Sequence, residues 1–218
     1  MIVIPKPAST VILMDEQNRV YLTKRPKTMK FLGGFYVFPG GAVEDTDDGG
    51  SKQIKNGDLN NPFQIAYYVA AARELFEEVG ILLCEEDDGS IVQWSLEKER
   101  NYRRLLIHGE ISFLQILKQE GIYLNLNQLK YFGNLITPKG SPYRFDTKYF
   151  LSSLPLGQTP RPDNYEIDEA FWLTPEEAIA KFQKGELPMI KPTILVLQTI
   201  IHHLQGGPLM IPKMSDEL

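Results

Sequence analysis

The sequence predicts an α/β fold in which a mixed sheet packs between helices. Three observations carry this. β-prone apolar runs open the chain and return in its second half. A long amphipathic helix stands between the two groups of strands. Further helical segments, one of them with a clear cap, close the chain.

Taken in order, residues 9–14 and 20–23 are apolar, β-prone runs separated by Asp15-Glu16-Gln17-Asn18, which reads as a hairpin. Residues 35–38 form a short aromatic strand leading into the turn Phe38-Pro39-Gly40-Gly41. A helix follows. At 100° per residue, Ile65, Val69, Ala72, Phe76 and Val79 fall within about 40° of one line, so that stripe must face a core. Gly80 is placed to end the helix as a left-handed residue. Residues 96–119 read as further helix, broken at Gly121. Strands are expected at 131–136 and 149–151, around the tight loop Thr137-Pro138-Lys139-Gly140-Ser141-Pro142, and again at 165–173. Thr174-Pro175-Glu176-Glu177 has a cap residue, Pro at the first helical position and two acids in the first turn. A last helix is expected over 191–203.

The chemistry concentrates on the first helix. Glu74, Glu77 and Glu78 stand at i, i+3 and i+4, opposite the apolar stripe, and like charges at that spacing repel. A divalent cation would turn the repulsion into binding, because hard cations are held by carboxylate oxygens. Arg73 flanks the three and could hold one carboxylate through a charge-assisted bond. The alternative is a solvated acidic face. The Gly-Gly turn upstream shifts the balance, since Gly40 and Gly41 let backbone pass close to a site with no side chain between.

These residues resemble the Nudix hydrolase family, whose motif runs Gly, five residues, Glu, seven residues, then Arg-Glu-apolar-x-Glu-Glu-x-Gly-apolar. Gly41 matches the first glycine, and Arg73 to Ile81 match the second half at every defined position. The first Glu position falls on Asp47, and 25 residues instead of seven separate it from Arg73. An insertion must therefore loop out, and Asp45-Thr46-Asp47-Asp48-Gly49-Gly50 and Asn56-Gly57-Asp58-Leu59-Asn60-Asn61-Pro62 are turn chemistry. The resemblance implies an α/β/α Nudix sandwich with Glu74, Glu77 and Glu78 as ligands of Mg2+ or Mn2+. Glu44 matches another acidic position beside the metal site. Catalytic roles fall to Arg73, Glu77 and Glu78. The general base is left open among Glu78, Glu166 and Glu169, because alternation puts Glu166 and Asp168 on one face and Glu169 on the other.

A second resemblance concerns substrate. Tyr21-Leu22-Thr23-Lys24-Arg25-Pro26, Lys30, Gly34 and Phe38 to Gly41 keep every spacing of a segment in coenzyme A diphosphatases, with Tyr21, Pro26 and Lys30 as substitutions. The insertion and Arg144-Phe145-Asp146-Thr147 resemble the branch that includes the peroxisomal mammalian coenzyme A diphosphatases. This implies hydrolysis of the diphosphate of coenzyme A or acyl-coenzyme A, with Arg25, Lys30, Gly40, Gly41 and Arg144 meeting phosphates. ADP-ribose, NADH or another nucleotide derivative is the alternative substrate, and a non-hydrolytic nucleotide sensor the alternative class. An ordinary cross-strand ion pair made by Asp146 is the competing reading of that segment.

The whole chain bounds the rest. Its 218 residues read as a single domain, with a loop insertion near 45–61 and a helical elaboration near 96–120 that is a candidate lid, dimer contact or surface elaboration. A net charge of -5 argues against a nucleic-acid partner and against an RNA-cap hydrolase. No apolar run reaches the length of a membrane span. One cysteine, Cys84, fits a reducing compartment, and the N-terminus is not a signal peptide, so a cytoplasmic location is expected. Ser215-Asp216-Glu217-Leu218 is read as a coincidental match to a retention signal. Tyr36, Tyr143 and Trp172 are candidate stacking residues, with core packing the competing role.

Overall fold

The computed structural model describes residues 3–49, 51–57 and 62–212. Strands β1 (Lys6–Met14) and β2 (Val20–Lys24) form the expected hairpin, closed where Met14 pairs with Val20. Asp15 makes the turn: its carboxylate accepts from the Gln17 and Arg19 amides, and Asn18 takes the left-handed backbone (φ 57) that Asn tolerates. Away from the turn, the two strands part. β3 (Tyr36–Val37) pairs with β2, and β4 (Gly40–Ala42) pairs with β1 through Ala8↔Ala42, Ser9↔Gly41 and Thr10↔Gly40. The Gly turn thus enters a gap between diverging strands.

Beyond β5 (Ile54–Lys55), helix α1 (Pro62–Val79) crosses β1. Strand β6 (Cys84–Glu85), helices α2 (Leu96–Ile107) and α3 (Phe113–Glu120), and strand β7 (Tyr123–Asn125) follow. β8 (Lys130–Ile136) and β9 (Phe145–Ser153) are antiparallel, and β9 runs parallel to β1 from Lys6↔Phe145 to Met14↔Ser153. β10 (Glu169–Leu173) covers the free edge of β2, and helices α4 (Pro175–Gln183) and α5 (Lys191–Leu204) complete the described chain. The main sheet has the order β10-β2-β1-β9-β8, and β5-β7-β6 form a second, small sheet.

Side-chain alternation along β1 sets the layers. Val11 and Leu13 point to the core made with α1, α2 and α3, while Ile12 points to the core made with α4 and α5. The result is the α/β/α sandwich that the pattern predicts. Buried Ser9 ties the layers, donating 2.7 Å to the Tyr67 carbonyl of α1. Cys84 is buried, as a small hydrophobe would be.

Several elements differ from expectation. The insertion is not all loop: residues 51–53 form a 3-10 turn, and Ile54–Lys55 become β5 because Ile54 is buried and the Lys55 ammonium caps the carbonyls of Glu86 and Asp87. The helical stretch over 96–119 is two helices. Gly109 turns left-handed (φ 66), and Ser112 starts α3 with a reciprocal capping box to Gln115. Strand β10 begins at Glu169 rather than 165, because the Asp163 carboxylate accepts from the amides of Tyr165 and Glu166 and folds them into a turn. β9 extends to nine residues. Among the described residues no helix is long and apolar enough to cross a membrane. Ser215-Asp216-Glu217-Leu218 and residues 58–61 lie outside the described residues.

Candidate active site

The carboxylate face of α1 is buried too. Glu78 is 6% exposed, and the Glu74 and Glu77 side chains are 13% and 14% exposed. The face lies against β4 and not against solvent, which disposes of the solvated acidic face.

Arg73 organises it. The guanidinium is 2% exposed and forks onto Asp47, with Nε to Oδ1 at 2.8 Å and Nη2 to Oδ2 at 3.0 Å. Nη2 also donates to the Ala42 carbonyl (2.9 Å), and Nη1 donates to Glu74 (2.9 Å) and Glu77 (3.4 Å). Burial works against the guanidinium charge, but the bonds to Asp47 and the charges of Glu74, Asp47 and Glu77 outweigh it and hold Arg73 protonated. Asp47, 1% exposed, also accepts from the Glu44 amide. The insertion therefore leaves the chain after Asp47 and rejoins it before Arg73, and the bidentate pair closes the loop.

The Gly turn meets the helix from the other side. The Gly40 amide donates to Glu78 (3.2 Å). A Cβ on Gly41 would stand 2.3 Å from a Glu74 carboxylate oxygen, so this position admits no side chain while Glu74 stays where it is. Both glycines line a cavity of about 430 Å3 that also exposes Glu74, Glu78, Glu166 and Arg25. The rest of its wall is largely apolar and includes Met29, Phe31, Leu32, Phe145, Tyr149 and Ile190.

Crowded burial raises the acids. Burial lifts Glu74 to about 7, against the pull of Arg73 and with help from the Glu166 and Asp47 charges. It lifts Glu77 to about 8, with Glu74, Glu44 and Glu166 adding to the rise. Glu78 is pushed well above the usual carboxylate range by burial, then by Glu74 and Glu166, against Arg25 and the Gly40 amide. Glu166 is raised by burial and by Asp163.

The other expected residues sort by position. Glu44 lies at the rim, 57% exposed, with Oε1 at 3.9 Å from Arg73. Arg25 is on the cavity wall and is held by a bond from Nε to the Phe31 carbonyl (3.2 Å). Lys30 is exposed and off the wall. Arg144 is a correction. It is buried with Nε on the Thr137 carbonyl (2.9 Å) and Nη1 on the Val3 carbonyl (2.6 Å), so its donors fasten the β8–β9 loop to the N-terminus and do not face the cavity. Lys148 pairs with Asp146 at 3.2 Å along β9 itself, and not across strands as expected; across the sheet Asp146 accepts instead from the Asn134 side-chain amide (2.6 Å). Glu169 pairs with Lys24 (2.8 Å) and accepts from the Tyr36 hydroxyl (2.7 Å), away from Glu78. Of the aromatic candidates, Tyr36 is buried, Trp172 packs on Tyr21 and Tyr143 packs on Phe31.

Two contributors escaped sequence reasoning. Asp163 shapes the Glu166 turn, and an Asp two and three residues before the amides it caps was a readable signal. Arg103 donates to the Glu77 and Glu78 carbonyls, and nothing in a lone helical arginine announces that.

The donor set suits a hard divalent cation: buried carboxylates raise one another, and much of the compensating charge comes from Arg73, which Asp47 already shares. As the side chains stand, no three His, Cys, Asp or Glu among the described residues converge to hold a metal. Glu74 and Glu77 are turned onto Arg73.

Comparison with known proteins identifies the fold that carries this site. The family model of the NUDT19 Nudix domain matches residues 49–200. The chain is 26% identical over 226 residues to an acyl-coenzyme A diphosphatase NUDT19 of Xenopus laevis, covering 84% of this chain and 60% of that one. It is 28% identical over 219 residues to the Gallus gallus protein of the same name, covering 78% and 57%. The chain thus spans about three fifths of the length of these relatives. The crystal structure of a Nudix hydrolase from Alicyclobacillus acidocaldarius superposes with a TM-score of 0.82 at 29% identity, over 97% of this chain and 99% of that one.

Proposed function

The chain belongs to the NUDT19 Nudix domain family, and we propose on that premise that it hydrolyses the diphosphate linkage of coenzyme A or acyl-coenzyme A with Mg2+ or Mn2+. The observation that carries this reading is the convergence of Glu74, Glu78, Glu166 and Arg25 on one cavity whose remaining wall is largely apolar. The acidic end suits a metal-bound diphosphate. The apolar end suits an uncharged, extended group attached to it.

Glu74, Glu77 and Glu78 would hold the cation, with Glu44 at the rim, once Glu74 and Glu77 exchange Arg73 for it. A bound cation supplies charge neutralisation for the diphosphate and a lowered pKa for a water it holds. The chain's own residues do the rest. The Gly40 amide orients Glu78. Arg25, anchored at Phe31, offers its free guanidinium nitrogens to a phosphate oxygen. Glu166 takes the proton of the attacking water. Its raised pKa makes it a better base than an ordinary carboxylate, and Glu169 is spent on Lys24 and Tyr36. The chain works here as a single Nudix domain, with one face of each of α2 and α3 packed on its core.

Product analysis by mass spectrometry tests this. Protein and Mg2+ are incubated with coenzyme A, acyl-coenzyme A, ADP-ribose, NADH and a dinucleoside polyphosphate. We expect phosphopantetheine or its acyl form and 3′,5′-ADP from wild type, and a loss of about 100-fold or more in folded Glu78→Gln. Products from another member would move the substrate and keep the chemistry. No product from any member would overturn the hydrolytic reading.

A further inference from the structure

We propose that Arg103, Glu99 and Arg161 form a positioning relay that sets the spacing between the carboxylates of α1 and the Glu166 turn. This rests on the roles given above to Glu78 and Glu166.

A helix leaves its last carbonyls without partners. Here those of Glu77, Glu78 and Val79 are spent on one purpose. Arg103, reaching over from α2, donates to the Glu77 carbonyl from Nε (3.1 Å) and Nη2 (2.9 Å), and to the Glu78 carbonyl from Nη2 (3.1 Å). The Glu78 carbonyl also accepts from the Asp163 amide (2.8 Å), and the Val79 carbonyl from the Arg161 amide (2.7 Å). The segment carrying Glu166 is thereby docked by backbone onto the residues that carry the metal-site acids. Asp163, once docked, folds Glu166 into place through its own carboxylate.

Glu99 closes the relay. It is 5% exposed, lies 3.4 Å from Arg103 Nη1, and takes both Nε (3.1 Å) and Nη2 of Arg161. A Cβ on Gly80 would stand 2.5 Å from Glu99 Oε1, so the left-handed glycine that ends α1 also makes room for the pair. A left-handed glycine alone is a sufficient helix end. Burying an Arg–Glu–Arg chain adds desolvation cost that an apolar cluster of the same volume would avoid. What the polar chain supplies and an apolar one does not is directional bonding to two consecutive carbonyls, those of Glu77 and Glu78, and through Glu99 to the Arg161 side chain of the segment beyond them.

The test uses Glu99→Gln and Arg103→Met in the full chain, with Arg104→Ala, an exposed residue of the same helix paired to Glu110, as control. All are assayed well below their unfolding midpoints. Three readouts are compared: hydrogen exchange of the Arg161 and Asp163 amides, Mn2+ affinity by electron paramagnetic resonance, and kcat and KM on the substrate found for wild type. We expect exchange to quicken about tenfold, Mn2+ to bind several-fold more weakly, and kcat to fall about tenfold with KM within about twofold, while Arg104→Ala matches wild type. Unchanged exchange, or quickened exchange with Mn2+ affinity and kcat intact, would reduce the relay to a stabilising contact and overturn the proposal. Should wild type hydrolyse nothing, the hydrolytic reading fails, and exchange with Mn2+ affinity still decides the relay.

Discussion

Arg73 and Asp47 show how much one residue pair can do. Their fork-to-fork bond is almost fully buried, and it pins the start of the insertion to the helix that carries the acids. Removing one partner of such a pair leaves an uncompensated buried charge. Asp47→Asn should therefore destabilise the protein by about 3–5 kcal/mol in urea titrations, and a loss below about 1 kcal/mol would show the pair to be dispensable. The acids around Arg73 make a second expectation. Glu74 and Glu77 titrate at about 7 and about 8 in the folded protein, above the carboxylate reference of 4.5. The folded state then binds more protons than the unfolded state across that window, so stability falls as pH rises. Metal-free protein should melt at lower temperature at pH 8 than at pH 5, and added Mg2+ should raise the midpoint more at pH 8. A flat profile in metal-free protein would sink this account.

Elements place these residues. α1 is buried on nearly every side, because one flank meets β1 and the other meets β4 and the cavity. Phe113 of α3 and Trp94, just before α2 and backed by its Tyr102, support it through aromatic contacts: Phe76 lies 5.8 Å from Trp94 and 6.2 Å from Phe113 between ring centres. Phe113 is 1% exposed, and Phe113→Ala should cost about 3–5 kcal/mol in chemical denaturation while leaving KM near the wild-type value. A cost under about 1 kcal/mol would mark α3 as a surface appendage. The capping boxes of α3 and α4 both follow from local sequence, Ser112 with Gln115 and Thr174 with Glu177. Of the two, only the Thr174 cap itself was anticipated, because the apolar spacing over 96–119 runs on across the Gly109 break.

At the scale of the whole molecule, two cores share one sheet, and the site opens where β1 and β2 diverge. The α1–α2–α3 core is one connected cluster running from Val11 to Ile167. It follows that α2 and α3 should unfold with the sheet and not before it. Native-state hydrogen exchange should give the most protected amides of α1 and α3 the same opening free energy, within about 0.5 kcal/mol. Separate opening of α3 would argue that the helical pair is a module of its own, against a single domain.

Local chemistry determined the hairpin at Asp15, the acids at helical spacing, the Gly turn and the caps, since each depends on neighbours a few residues away in the chain. The resemblance carried by Gly41 and Arg73 to Ile81 added the sandwich and the family. Tertiary structure alone decided which charges are free. Arg25 and Arg144 are equal candidates as letters, yet one stands on the cavity wall and the other is consumed by the carbonyls of Val3 and Thr137. Glu166 and Glu169 are separated the same way: burial near Glu74 and Glu78 raises the first, while Lys24 and Tyr36 hold the second. The physical reason is that a side chain's chemistry is set by its desolvation and its partners, and those partners lie 58 residues away for Ser9 and 145 for Lys24, at separations no local pattern encodes.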